Sequence, residues 1–377
     1  MEINQENQPK IICGKVDKGV LFSVIFLTVI GALMILSASS IRALQNYGDL
    51  YYFFRRQLIF IVTGLIFMFI FSHINYRNYL YHSRKLILLS LGMLVVVLIP
   101  AFGISIHGSR RWLNFGFFNF QPSEFTKLAV VIYISSFIYR KKTQIKSFSQ
   151  GILPPMIVVS AMFFLISQQP DMGTAVTLFI VAILLLIIGG VKISHLFIIG
   201  MPGSTLLIYY ITSASYRMNR ILTFLDPWRD PRGAGYHIIQ SLLALGSGGI
   251  TGVGPGGSRQ KFLYLPEPGT DFIFAIIGEE LGLIGAAGVV LLFAYLTYSG
   301  IKISINAPDI FGSMLAAGLT LMIIIQVFIN IGAVTALLPV TGITLPFISY
   351  GGSSLLIMMI STGILLNISR YEIAEGE

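Results

Sequence analysis

Apolar residues run along this chain in long unbroken stretches, not in the alternation of a half-buried strand or the single stripe of a soluble amphipathic helix. A bilayer core of about 30 Å is crossed by roughly 20 helical residues. The stretches supply that length repeatedly and predict helices near 19–41, 57–74, 85–101, 123–140, 152–167, 173–190, 194–213, 271–303, 312–337 and 343–369. Lipid cannot satisfy free backbone N–H and C=O groups, so each segment must bond internally, as a helix does. Pro202 and Gly203 interrupt the run at 194–213 and predict a bend or an incomplete span there. The expected architecture is an all-α integral membrane protein of about ten transmembrane helices. One large extracytoplasmic loop, about 214–270, lies between helices 7 and 8.

Composition agrees with that reading. Of 377 residues 55% are hydrophobic and 11% charged, and a mean hydropathy of +0.82 lies far outside the soluble range. The polar N-terminal segment meets the first apolar run without a small-residue cleavage site, so this run reads as a permanent anchor. Cys13 is the single cysteine, which excludes an internal disulfide. His73, His82, His107, His195 and His237 are scattered and form no HExxH pattern.

The net charge of +9 comes from cations distributed among loops rather than gathered in one patch. That distribution argues against nucleic acid and for lipid headgroups or an anionic lipid-linked substrate. Lys10, Lys15 and Lys18, then Arg77, Arg84 and Lys85, then Arg140, Lys141, Lys142 and Lys146 fall on one face, which the positive-inside rule makes cytoplasmic. Both termini are then cytoplasmic: residues 1–18 form an inner N-terminal segment, 19–370 a single membrane domain and 371–377 an inner tail. Arg110, Arg111, Arg217, Arg220, Arg229, Arg232, Arg259 and Lys261 would lie outside, against that bias. An outer surface that keeps such cations is expected to hold an anion.

Four outer stretches break the apolar pattern: 108–127, 168–173, 216–241 with its continuation 258–280, and 345–354. Glu124 and Lys127 share one helix face at i,i+3 spacing. They read either as a neutralised pair that lets the helix insert or as a functional intramembrane pair. Asp171 reads either as a helix N-cap or as a site residue. Asp271 opens the eighth helix, where a carboxylate either caps the first N–H groups or, raised by burial or by an acidic neighbour such as Glu267, acts as a base. Glu279 and Glu280 must face protein or water, and Gly278 with Gly282 has the small-xxx-small spacing of close helix packing. Gly252, Gly254 and Gly257 satisfy GxGxxG, but Pro255 and the lack of a preceding strand remove it as a nucleotide motif and leave turns or a mobile loop. Trp112, Phe115, Phe117 and Phe118 read as interfacial anchors or as a substrate platform.

The segments RRWLNFGFFNFQPSEFTKLA, QQPDMGTA, LDPWRDPRGAGYHIIQS, RQKFLYLPEPGTDFIFAIIGEELG and LPFISYGGSSL, in this order, resemble the SEDS family (shape, elongation, division and sporulation) of bacterial cell-wall polymerases. The likeness runs from the first span to Arg370, and PWRDP followed by SRQKFLYLPEPGTDFIFA is more similar to the division and sporulation branch of FtsW and SpoVE than to the elongation branch of RodA. The resemblance implies a glycosyltransferase that joins lipid II units into peptidoglycan strands on the outer face of the cytoplasmic membrane, at the division septum, with release of undecaprenyl pyrophosphate. It implies Asp271 as general base, Arg111, Arg220 and Lys261 as cations for the pyrophosphate, and Glu124 with Lys127 as lining of a lipid-accessible cavity. Trp112, Asp171, Glu267, Ser349 and Ser353 complete the expected substrate-binding set. No cofactor follows from the motifs. A divalent cation, Mg or Mn, is compatible with the chemistry, although no ligand set is readable. The implied partners are a class B penicillin-binding protein, other divisome or elongation proteins and membrane lipids. Two other functions stay open at this level, a lipid II flippase and a noncatalytic divisome scaffold. Charges clustered near one face favour an enzyme over a flippase, which needs polar residues through the full bilayer depth.

Overall fold

The computed structural model describes residues 11–106, 109–116, 118–198, 212, 215–233, 235–262 and 264–373, with backbone alone at 11–13, 106, 215–217, 220–221 and 372–373. Six helices precede the large loop: α1 (Lys18–Tyr47), α2 (Tyr52–His73), α3 (Arg77–Leu98), α4 (Pro122–Arg140), α5 (Leu153–Ser167) and α6 (Met172–Ile188). Two lie within it, α7 (Ser215–Leu225) and α8 (Tyr236–Gly248), and three follow, α9 (Ile273–Asn306), α10 (Ile310–Val334) and α11 (Gly352–Ile368). Among the described residues, α1, α2, α3, the stretch Phe148–Ser167, α9 and α10 are long and apolar enough to cross a bilayer, and α6 and α11 are shorter apolar helices. The all-α multi-pass membrane fold is as expected. The span expected at 194–213 lies largely outside the described residues.

The bundle is built around α10. Its apolar window is 61% buried, against 17% for α2, and it packs on α4, α6 and α9. Small residues permit that approach: a Cβ on Gly318 would stand 2.6 Å from Val131 and 2.9 Å from Leu185. Elsewhere α2 lies along α11, α3 along α4 and α1 along α9. At one end, β1 (Ile11–Cys13) pairs antiparallel with β5 (Tyr371–Ile373), so both terminal segments lie on one face. At the opposite end the described parts of the connections 99–121, 168–171, 226–272 and 335–351 converge, Arg111 bonding to Gln169, Tyr350 to Gly269 and Ser353 to Asn119.

Four features of that convergent end depart from the sequence expectation. Between the third and fourth spans, where no strand was expected, lies an antiparallel meander of β2 (Gly103–Ile106), β3 (Ser109–Asn114) and β4 (Asn119–Phe120), with Trp112 opposite Ile104. The large loop contains a half-buried helix, α8, packed on α9. The last helix begins at Gly352 instead of residue 343, because Pro346 lacks a donor and Phe347 has φ +63°. Finally, α9 is two helices broken at Gly282, where φ is +66° and ψ −166°.

That break explains the glycine run. The amides of Leu283 and Ile284 bond to the carbonyls of Gly249 (2.9 Å) and Ile250 (3.2 Å), while Glu279 O and Glu280 O accept from the amides of Val253 (3.0 Å) and Gly254 (3.1 Å). The loop thus satisfies backbone groups that the broken helix leaves open. Only glycine fits the contact, since a Cβ on Gly252 would lie 2.2 Å from Glu280 O. Where turns or a mobile loop were expected the loop is interlocked with the helix; Gly278 packs closely on Leu245 of α8, and Gly282, at the helix break, packs on the backbone of Ile250 and Gly252 instead of on a neighbouring helix.

Candidate active site

Asp271 stands one residue ahead of Phe272, the N-cap position of α9, where no side-chain cap forms. The segment leading to it is held through its main chain. Gly269 O accepts from the Tyr350 amide (2.8 Å), Thr270 O from Ser349 Oγ (2.6 Å) and Asp271 O from Asn330 Nδ2 (2.9 Å). Asn330 also donates to Ile343 O (2.7 Å), and Ser349 Oγ accepts from the Leu345 amide (2.8 Å). The Asp271 side chain is half-buried, with Oδ2 beside Gly342, where an added Cβ would come within 3.6 Å. Glu267 lies at the same mouth, paired with Arg42 of α1 at 2.9 Å.

A buried polar seam runs from this mouth into the bundle. Lys127 Nζ bonds Glu124 Oε1 at 3.0 Å, with both side chains almost wholly buried, and donates to Gln326 Oε1. Gln326 Nε2 donates to Thr344 O (3.0 Å), and Thr344 Oγ1 to Ser354 Oγ (3.1 Å). Gln326 and Asn330 are one turn apart on α10, so one helix face ties the intramembrane pair and the Asp271 segment to the same 341–345 strap. Glu124 Oε2 and Asn330 Oδ1 are buried without a protein partner.

Asp171 caps α6 by accepting from the Thr174 amide (3.4 Å). It also accepts from Gln121 Nε2 (3.0 Å) and Ser123 Oγ (3.3 Å), which makes it a cap and a network member at once. Arg111 holds the turn before it. Its Nε donates to Gln169 O (3.0 Å), Nη2 to Pro170 O, and Nη1 lies 3.8 Å from Asp171. Ser353 bridges Asn119 O and the Gln121 amide, each at 3.1 Å. Trp112 is half-buried in β3.

Lys261 departs from the expectation of a phosphate-facing cation. Its Nζ is buried and bonded to Glu280 (3.1 Å), Ser37 Oγ (3.0 Å) and Gly256 O (2.6 Å). Glu279 accepts from Ser258 Oγ and the Arg259 amide (2.8 Å). The Glu279–Glu280 pair therefore faces protein and pins the glycine loop. The Arg220 side chain lies outside the described residues.

The fold thus brings Asp271, Glu267 and Ser349 to one mouth, with Glu124 and Lys127 connected beneath it and Arg111, Asp171 and Ser353 alongside. Arg42, Gln326 and Asn330 were not among the expected residues. Each carried a signal: Arg42 is a cation at the C-terminal end of the first run, and Gln326 and Asn330 are amides at i,i+4 in an apolar helix. Among the described residues no three His, Cys, Asp or Glu side chains converge as metal ligands.

Comparison with known proteins agrees with this fold. The family described as cell cycle protein, FtsW/RodA/SpoVE, matches residues 18–374. Stage V sporulation protein E of Bacillus subtilis is 46% identical over 93% of this chain and 96% of its own. The probable peptidoglycan glycosyltransferase FtsW of Geobacter sulfurreducens is 40% identical over 94% and 95%. A solved structure described as coordinating polymerization and crosslinking in a peptidoglycan synthase complex superposes with a TM-score of 0.77, at 26% identity over 94% of this chain and 98% of that one. The rod shape determining protein RodA of Thermus thermophilus shares the fold, with a TM-score of 0.67 over 94% and 97% of the two chains. The chain belongs to the FtsW/RodA/SpoVE family of cell cycle proteins.

Proposed function

We propose that this protein is a peptidoglycan glycosyltransferase that polymerises lipid II into glycan strands and releases undecaprenyl pyrophosphate. The carrying observation is a half-buried carboxylate, Asp271, on a segment held by three bonds to its main-chain carbonyls at the convergent end of the bundle. The name of the FtsW relative, a probable peptidoglycan glycosyltransferase, supports the same chemistry.

In this reading Asp271 takes the proton of the acceptor GlcNAc 4-hydroxyl as that oxygen attacks the anomeric carbon of the lipid-linked chain and the pyrophosphate departs. Arg111, whose side chain is 23% exposed, and Arg220 are assigned to the pyrophosphate. Lys261 reaches a ligand only by breaking its bond to Glu280, so its proposed role is to fix the loop that carries Arg259. Glu124 and Lys127 line the lipid-accessible cavity, while Trp112, Asp171, Glu267 and Ser353 shape its rim.

The assigned setting is the outer face of the bacterial cytoplasmic membrane at the division or sporulation septum, with both termini inside and a class B penicillin-binding protein as partner. The synthase complex among the structural neighbours supports such a partner. Purified protein reconstituted with that partner and lipid II is expected to make glycan strands, and Asp271→Asn to abolish them while folding and partner binding persist. An Asp271→Asn variant that polymerises normally removes the base assignment. A wild type that moves lipid II across vesicles but makes no polymer establishes the flippase instead.

A further inference from the structure

Three consecutive carbonyls, those of Gly269, Thr270 and Asp271, are each gripped by a donor from the segment 330–350. Consecutive carbonyls in an irregular turn point in different directions, so three separate donors fix the turn in rotation as well as position. Two of those donors are side chains, Ser349 and Asn330, buried to 4% and 2% exposure. Each is anchored from behind: Ser349 Oγ accepts from the Leu345 amide, and Asn330 Nδ2 also donates to Ile343 O. Across the turn, Gly269 rests on α1 so closely that a Cβ there would stand 2.3 Å from Ser39 Oγ.

We propose that Ser349 and Asn330 are positioning residues for Asp271, setting where its carboxylate meets the acceptor hydroxyl rather than binding the sugar substrate. This extends the assignment of Asp271 as base and rests on it. It also gives Ser349 a role different from direct substrate contact, because its hydroxyl is engaged as donor and acceptor within the protein. A grip of this kind acts on turnover more than on affinity. A base displaced by about 1 Å can lose up to 10²-fold in rate while the distant lipid and pyrophosphate contacts that set binding stay intact.

The test uses the full chain with its partner and lipid II, measuring initial polymerisation rates against lipid II concentration together with thermal unfolding. Ser349→Ala and Asn330→Asp, the latter replacing a donor by an acceptor facing two carbonyls, are expected to lower kcat by about 10- to 100-fold with KM unchanged. Ser349→Thr, which keeps the hydroxyl, is expected to restore most of the rate lost in Ser349→Ala. The inference is overturned if Ser349→Ala turns over like wild type, if the loss falls in KM, or if Ser349→Thr is no better than Ser349→Ala. Where Asn330→Asp does not fold, the two Ser349 variants decide. A wild type that makes no strands overturns the polymerase reading itself, whereas an active wild type with an equally active Ser349→Ala overturns the positioning role alone.

Discussion

Asp271 and the Glu279–Glu280 pair stand about two turns apart along one chain segment, yet the fold grips the main chain at the first and the carboxylates at the second. Glu279 and Glu280 are 2% and 1% exposed and are held through their carboxylates, by Ser258, the Arg259 amide, Ser37 and Lys261. Asp271 is held through its carbonyl and those of its two predecessors. The difference matters for a group that must change charge. Protonating Glu280 would break the ion pair that fixes the glycine loop, whereas protonating Asp271 leaves its main-chain mount untouched. A base that gains and loses a proton each turnover needs the second kind of support.

The comparison breaks most sharply through Asp271→Asn. The loss of a general base is expected to lower polymerisation by about 10²- to 10⁴-fold and to leave the bonds to the main-chain carbonyls of Gly269, Thr270 and Asp271 in place, so that the thermal unfolding midpoint falls less than it does in Glu280→Gln. Glu280→Gln should do the reverse. Leaving Lys261 as an unpaired buried charge is expected to cost about 3–5 kcal/mol of stability, read as a lowered unfolding midpoint in detergent. If Asp271→Asn melts as far below wild type as Glu280→Gln does, the two carboxylates do not differ in kind. Replacing both members, Lys261→Met with Glu280→Leu, should recover part of the stability, since an apolar pair leaves no orphaned charge.

The helix break beside the glutamates allows a finer test. Gly282→Ala forces a side chain into φ +66° and places Cβ 2.3 Å from the Gly252 amide nitrogen. Backbone strain of this kind is expected to cost about 1–3 kcal/mol and to loosen the 249–261 loop. Limited proteolysis should then cut within that loop faster than in wild type. Unchanged cleavage would show that the loop does not depend on the helix break.

Most of the helices were legible because each apolar run is long enough to demand a span. The convergent end was less so, since its order comes from contacts distant in sequence. The strands Gly103–Ile106 and Asn119–Phe120 are too short to announce themselves, and their register depends on β3. The Gly282 break is meaningful only once Gly249 and Ile250 are seen filling it. Residues 343–351 pass for helix on hydropathy, although Pro346 and the glycines Gly351 and Gly352 argued for a turn. Within the site, the i,i+3 spacing of Glu124 and Lys127 anticipated their 3.0 Å contact. No local pattern linked Ser349 to Thr270, residues far apart in sequence that meet at 2.6 Å.

The smallest effect is expected at the Arg42–Glu267 pair, and it sharpens the same contrast. Its length, 2.9 Å, is close to the 3.1 Å of Lys261–Glu280, but the side chains are 32% and 42% exposed instead of 6% and 1%. Water solvates either partner of the exposed pair once the other is gone, and salt screens what attraction remains. Arg42→Gln is therefore expected to change stability by less than about 1 kcal/mol, and raising the ionic strength should shrink even that difference. Lys261→Met should show no comparable dependence on salt, because its partner Glu280 stays buried without a counter-charge at any ionic strength. Unfolding both variants at low and high salt checks the pair together. Equal destabilisation of the two would mean that burial, not length, has been given too much weight in separating the frame of this protein from its working mouth.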